Sequence, residues 1–188
     1  MISFVGMKVK VLFIRFSSIG DIVLTSPVIR CFKKQIDGDA EIHFLVKKQY
    51  EALLLANPHI DQVHTLESNL NLVISELQNE GFDYIIDLHK NLRTSFVKRK
   101  LKVLAFTFDK LNVKKWMLVN LGINLLPKIH LVDRYFDAVK AFGISNDGKG
   151  LDFFIPKQDV LQVSDHFPNL KDGFIAFNIG GKFSGKKL

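Results

Sequence analysis

Val9-Lys10-Val11-Leu12-Phe13-Ile14-Arg15-Phe16-Ser17-Ser18-Ile19-Gly20-Asp21 is the stretch on which the fold is decided. Val11 to Ile14 are consecutive apolar strand formers. A run without alternation reads as a strand buried on both faces, the pattern of a parallel sheet. The small residues Ser17, Ser18 and Gly20 then turn the chain into a helical stretch over residues 22–35. Pro27 lies inside that stretch, where proline costs about 3 kcal/mol in a helix interior. Two readings remove the conflict. Either a short first turn kinks at Pro27, or Ser26 is the N-cap and Pro27 takes the first helical position.

Outward from this unit the same alternation recurs. Residues 41–46, 60–66, 82–88 and 102–108 read as strands. Residues 47–56, 70–80 and 112–121 read as helices. Leu70, Val73, Ile74 and Leu77 fall at i, i+3, i+4 and i+7, one buried helical stripe that Gly81 stops. Residues 89–100 read as a loop leading into a basic helix. Leu131, Tyr135, Val139 and Phe142 mark a further helix, closed by Gly143. A short strand over residues 153–155, a weak helix over 157–166 and a last strand over 173–179 complete the pattern. Alternating strands and helices predict an α/β fold, a parallel sheet with helices on both faces. The last strand runs into Gly180-Gly181-Lys182, the way a new α/β unit begins. The expected division is residues 1–172 as one domain and 173–188 as the truncated beginning of a second.

Composition and charge narrow the classes. Of 188 residues, 47% are hydrophobic and 24% charged, which fits a soluble globular domain and excludes a disordered or fibrous chain. The single cysteine, Cys31, permits no internal disulfide and suits a reducing compartment. No segment reaches the roughly 18 apolar residues of a membrane span. The start carries neither a basic region nor a cleavage site of a signal peptide, and Met7-Lys8 reads as a plausible true start. A net charge of +7 points to an anionic partner.

Two segments can carry chemistry, both after buried strands and so at the ligand-binding edge of such a sheet. In the first, spacing alone favours Asp21 as a helix N-terminal carboxylate stabilised by the dipole; the sharper reading is a general base for a hydroxyl. The second is Asp87-Leu88-His89-Lys90-Asn91-Leu92-Arg93-Thr94-Ser95. Six basic residues and no acid lie between Lys90 and Lys102. Lys98 to Lys102 reads as a solvated helix face, whereas Lys90 and Arg93 sit at the loop, where Arg can fork onto a phosphate or carboxylate. Neither a G-x-G-x-x-G fingerprint, a Walker loop nor a G-x-S-x-G elbow occurs. The six histidines are scattered without metal-ligand spacing, so no metal and no cofactor is expected. Aromatic and basic residues do not interleave as in nucleic-acid binders, so none is expected as a partner.

The run Ile14-Arg15-Phe16-Ser17-Ser18-Ile19-Gly20-Asp21-Ile22-Val23-Leu24-Thr25-Ser26-Pro27 resembles the N-terminal signature of glycosyltransferase family 9, the ADP-heptose:lipopolysaccharide heptosyltransferases. Asp87 to Thr94, Val132-Asp133-Arg134-Tyr135, Ile179-Gly180-Gly181 and Lys186-Lys187-Leu188 resemble further segments of that family. The resemblance implies the Rossmann-like N-terminal, acceptor-side half of a GT-B glycosyltransferase. Asp21 would be the catalytic base for inverting, metal-independent transfer of a sugar from a nucleotide-sugar donor, ADP-heptose, to a lipopolysaccharide-core acceptor. Ser17, Ser18, Gly20, Lys90, Asn91 and Arg93 would line the acceptor site, and Lys186 would lie near the donor phosphates. With nearly all of the donor half missing, the chain is expected to be inactive alone. Its expected setting is the cytoplasm, in peripheral contact with the inner membrane that holds an anionic lipid-linked saccharide. Its exposed interdomain face is expected to favour dimers. The alternative is a non-catalytic anion-binding or interaction module.

Overall fold

A computed structural model describes residues 6–162 together with residues 165, 167 and 175. Five strands form its centre: β1 (Lys8–Ile14), β2 (Asp39–Lys47), β3 (Gln62–Leu66), β4 (Tyr84–Asp87) and β5 (Leu104–Thr107). Every pairing is parallel, in the order β3-β2-β1-β4-β5. The helices are α1 (Ile19–Val23), α2 (Ser26–Gln35), α3 (Leu70–Glu80), α4 (Leu92–Leu101), α5 (Asn112–Leu121) and α6 (Leu131–Phe136).

The unbroken apolar run of β1 has a simple cause. Side chains alternate across a strand, and both faces of this one are covered. Val9, Val11 and Phe13 pack into one core with Val28, Ile29 and Phe32 of α2 and Tyr135 of α6. Leu12 and Ile14 point the other way, into a core with Val73, Ile74 and Leu77 of α3 and Val97 of α4. Phe32 anchors the first core, meeting Phe13 edge-on at 5.5 Å and Phe142 at 5.2 Å between ring centroids. Full burial of such a side chain contributes about 1.5–3 kcal/mol. The Rossmann-like α/β sheet with helices on both faces is therefore observed as expected.

Pro27 breaks the expected helix over 22–35 into two. α1 ends at Val23, and α2 begins at Ser26 with Thr25 as its N-cap, one residue before the expected Ser26. Pro27 thus falls in the first turn, where its missing N–H has no helical acceptor to satisfy. Other expectations shift for local reasons. Within residues 47–56 only Lys48–Leu53 is helical, as a 3₁₀ segment. The helix marked by Leu131 to Phe142 stops at Phe136 and resumes as a 3₁₀ turn, Lys140–Phe142, which Gly143 closes at φ 77°. Residues 153–155 form no strand; Phe154 instead packs edge-on against His59.

Arg30, 3% exposed, clamps the turn after that helix. Its guanidinium pairs with Asp147 at 2.7 Å and with Asp152, and donates to the Gly150 carbonyl at 3.0 Å. By contacts the chain divides into Met1–Phe154 and Ile155–Leu188. The expected boundary at 172/173 and the expected strand over 173–179 lie outside the described residues apart from Ile175.

The strand order positions the site. From β1 the chain steps outward to β2 and β3 on one side, then returns to lay β4 and β5 on the other. The crevice where such an order reverses, at the carboxyl ends of the strands, is where open α/β sheets bind ligands. Here those ends are Ile14 and Asp87, paired in register, and the loops that follow them are residues 15–18 and 88–91.

Candidate active site at the carboxyl edge of the sheet

Arg15 organises this edge. It is the first residue past β1 and only 7% exposed. Its guanidinium donates to the Leu88 carbonyl at 2.6 Å, just past β4, and to the Ser17 carbonyl at 2.7 Å. The third contact is an ion pair with Asp21 Oδ2 at 2.6 Å. Arg15 also lies over the Tyr135 ring, 5.9 Å from its centroid. One buried cation thereby ties β1, β4, α1 and α6 together. The sequence carries a signal for it: a charged residue directly after an apolar run, at the strand end where a ligand site is expected.

Asp21 sits in the first turn of α1, with about a third of its side chain exposed. Ser18 donates to Oδ2 from its backbone N at 3.3 Å and from its hydroxyl at 3.0 Å. Burial pushes the Asp21 carboxyl up, but the Arg15 charge and the Ser18 donors outweigh it and hold the group below its ordinary 3.8. At neutral pH it is a carboxylate. Among the described residues all of these contacts fall on Oδ2. A Cβ placed at Gly20 would meet nothing within 4 Å, so the space beside Asp21 at this turn opens to solvent.

The β4 loop is shaped by Asp87, which is fully buried. Its Oδ1 accepts from the backbone N of His89 at 3.0 Å and of Lys90 at 2.8 Å. Its Oδ2 pairs with Lys98 at 2.8 Å. Lys98 is therefore no part of a solvated face, which leaves a smaller basic surface for nucleic acid than the sequence offers. Asn91 caps α4: its Oδ1 accepts from Thr94 N at 2.9 Å, and its own N–H donates to Thr94 Oγ1 at 3.0 Å. Lys90 donates to the Phe108 carbonyl at 3.1 Å, joining this loop to the end of β5.

The sequence-picked residues divide accordingly. Ser17, Ser18, Gly20 and Asp21 form one turn around the Arg15 guanidinium. Asn91 and Lys90 hold the neighbouring loop through backbone contacts. Arg93 is exposed and lines an open groove of about 530 Å³ with Lys47, Lys48, Gln49, Leu66 and Glu67, at the ends of β2 and β3. Lys186 lies outside the described residues.

Two neutral polar side chains border the Arg15–Asp21 pair. Burial, then the charges of Arg15 and Lys110, pushes the His89 imidazole down to about 4, and its ring packs against Phe16 at 5.3 Å. Burial pushes the Tyr135 hydroxyl up to about 12. His89 Nδ1 and the Tyr135 hydroxyl are both buried without a hydrogen bond among the described residues.

Scattered in sequence, two histidines nevertheless meet in the fold. His43, His64 and Glu80 bring donor atoms within 4.8 Å of one another, toward the amino end of the sheet. His43 Nδ1 and His64 Nε2 are already hydrogen-bonded to each other at 2.8 Å. Lys10 Nζ lies 2.9 Å from Glu80 Oε2, supplying the positive charge there. The two histidines form a hydrogen-bonded pair that links β2 to β3, and Glu80 at the end of α3 lies 4.0 Å from His43 Nδ1.

Comparison with known proteins agrees with the resemblance read in the sequence. The chain is 27% identical over 172 residues to lipopolysaccharide heptosyltransferase 1 of Campylobacter coli, covering 86% of this chain and 49% of that protein. It thus spans about half the length of the curated relative it matches. Its fold matches a glycosyl transferase family 9 structure from Veillonella parvula DSM 2008 with a TM-score of 0.63, at 19% identity, covering 84% of this chain and 47% of that one. It also matches E. coli heptosyltransferase WaaC with ADP-2-deoxy-2-fluoro heptose, TM-score 0.59 and 18% identity, over 76% of this chain and 51% of that one. No protein-family model matches the chain. In sequence and in fold, the chain is similar to the family 9 heptosyltransferases over most of its length.

Proposed function

We propose that this chain is the acceptor-side half of a GT-B glycosyltransferase. It would pass a heptose from ADP-heptose to an anionic, lipid-linked lipopolysaccharide-core acceptor. The observation that carries the reading is Asp21: an ionised carboxylate, partly open to water, held by Arg15 and Ser18 where the strand order reverses. Curated similarity to a lipopolysaccharide heptosyltransferase supports the choice of sugar and acceptor.

The chemistry follows from that geometry. An acceptor hydroxyl approaches Asp21, whose carboxylate takes its proton as the oxygen attacks the anomeric carbon of the donor. The new C–O bond forms opposite the breaking bond, and the electron pair of that bond leaves with the nucleotide diphosphate, so configuration inverts. Arg15 and Ser18 fix the carboxylate in its ionised form and orient it, and no step needs a metal. Gly20 leaves room for the sugar ring beside the carboxylate. Ser17, Ser18, Lys90, Asn91 and Arg93 border the acceptor, with Arg93 supplying an exposed cation for an anionic group on it. Residues 173–188 begin the donor-binding half, with Lys186 near the diphosphate. The reaction would run at the cytoplasmic face of the inner membrane.

Heptose transfer from ADP-heptose to heptose-deficient lipopolysaccharide tests the reading. A protein joining these residues to a complete donor-binding half should turn over, and this chain alone should not. No transfer by the joined protein would overturn the assignment of the reaction. Turnover by the chain alone at the rate of the joined protein would overturn the assignment of the chain as half an active site.

A further inference from the structure

We infer that α5 and the segment after it dock on an anionic lipid surface. The proposal rests on the membrane location proposed above but not on the sugar chemistry, and a vesicle assay reads the one without the other.

Two independent features converge on this part of the chain. The first is charge. Between Leu88 and Val132 lie ten lysines and arginines and one acid, Asp109, which leaves sixteen basic against eighteen acidic residues for all the rest. The positive surplus of the chain is therefore local. The second is exposed apolar surface at the same place. On α5, Val113, Trp116 and Val119 are 72%, 58% and 82% exposed. Spaced at i, i+3 and i+6, they fall within an arc of about 120° on a helix of 3.6 residues per turn. Leu121 at the end of the helix, and Ile123 and Leu125 beyond it, continue the exposed apolar surface. Exposed lysines, Lys114 within the helix and Lys128 after it, accompany this surface.

A tryptophan and aliphatic residues on one stripe, with lysines around them and no acid within the helix, is the pattern of a helix that lies in a bilayer interface. A protein partner would need acids to match this charge, whereas an anionic bilayer supplies charge and apolar depth together. No helix among the described residues is long and apolar enough to cross a membrane, so the contact would be peripheral. The location also fits the site. Residues 108–111 connect β5 to α5, and there Lys110 donates to the His89 carbonyl at 3.1 Å. Docking would therefore hold the carboxyl edge of the sheet close to a lipid-anchored substrate.

Trp116 is the single tryptophan of the chain, so its fluorescence reports this surface without a label. Mixing the 188-residue protein with phosphatidylglycerol-containing vesicles should move its emission to shorter wavelength and shield it from iodide. Phosphatidylcholine vesicles should do neither, and raised salt should reverse the binding. The double variant Lys114→Glu/Lys128→Glu should weaken vesicle binding about thirtyfold or more, since each basic residue near such a surface is worth roughly fivefold. Val119→Asp, at a highly exposed position that leaves the fold intact, should weaken it about tenfold. No spectral change with anionic vesicles would overturn the proposal. So would an equal, salt-insensitive change with phosphatidylcholine. A change that grows with protein concentration in the absence of lipid would also overturn it, because a second copy of the chain would then be what covers the stripe.

Discussion

Replacing Arg15 by Met, set against replacing Asp21 by Asn, separates the two halves of the central ion pair. Arg15→Met keeps an apolar stem in the core but removes three donated contacts. The Leu88 carbonyl is left buried without its donor, which costs about 1–3 kcal/mol. The Ser17 carbonyl, nearer to water, can be resolvated. Asp21 loses its counter-charge, but a third of its side chain is exposed, so screening limits that part to about 1 kcal/mol. The whole change should cost about 3 kcal/mol. Asp21→Asn leaves Arg15 with both carbonyls and keeps an amide oxygen for Ser18, and should cost about 1 kcal/mol. For a chain of this size that is a fall in Tm of roughly 6–12 °C against 2–4 °C. The difference between wild type and Asp21→Asn should also depend on pH. The folded carboxyl titrates below its ordinary 3.8, so its contribution is complete above that value and fades as pH falls through the folded value. Urea or thermal unfolding followed by circular dichroism reads both variants. If Asp21→Asn cost as much as Arg15→Met, the carboxylate would be a structural keystone, and the case for a group held ready for chemistry would fail.

Lys98→Met leaves Asp87 buried with only its two backbone donors and should cost about 3 kcal/mol. Arg99→Ala and Lys100→Ala, which lose only ring contacts with Phe96, should stay within about 1 kcal/mol, as thermal melts of the three would show. His64 and His89 are both pushed down to about 4, so below the ordinary 6.5 the unfolded chain takes up protons that the folded chain refuses. Stability should therefore fall as pH drops from 6.5 toward 4, with His89→Leu removing one proton from the slope; a flat profile over that window would contradict the burial of both rings.

The sequence made the layered fold legible because parallel strands buried on both faces write themselves as unbroken apolar runs, as at residues 11–14 and 85–86. It was less informative where tertiary contacts decide. Residues 153–155 carry strand-forming side chains, but Phe154 found His59 instead of a strand neighbour. The division of 22–35 into two helices depended on how Thr25 and Pro27 shared one helix start. In the site, Asp21 was legible from its place after a buried strand and from the family resemblance. Arg15 was not picked out, because its role lies in carbonyls and a carboxylate that sequence does not place around it. The scattered histidines misled in the same way: His43 and His64 are 21 positions apart but lie on adjacent, parallel strands. Lys98 belonged to a basic run in the sequence and to a buried acid in the fold.

The measurement nearest the central claim is the turnover number of Asp21→Asn in a protein that carries these residues with a donor-binding half. The account predicts that kcat for heptose transfer falls by about 100-fold or more, as loss of a general base does, while the melting temperature drops by only a few degrees. A variant that transfers heptose as fast as the parent protein would contradict it.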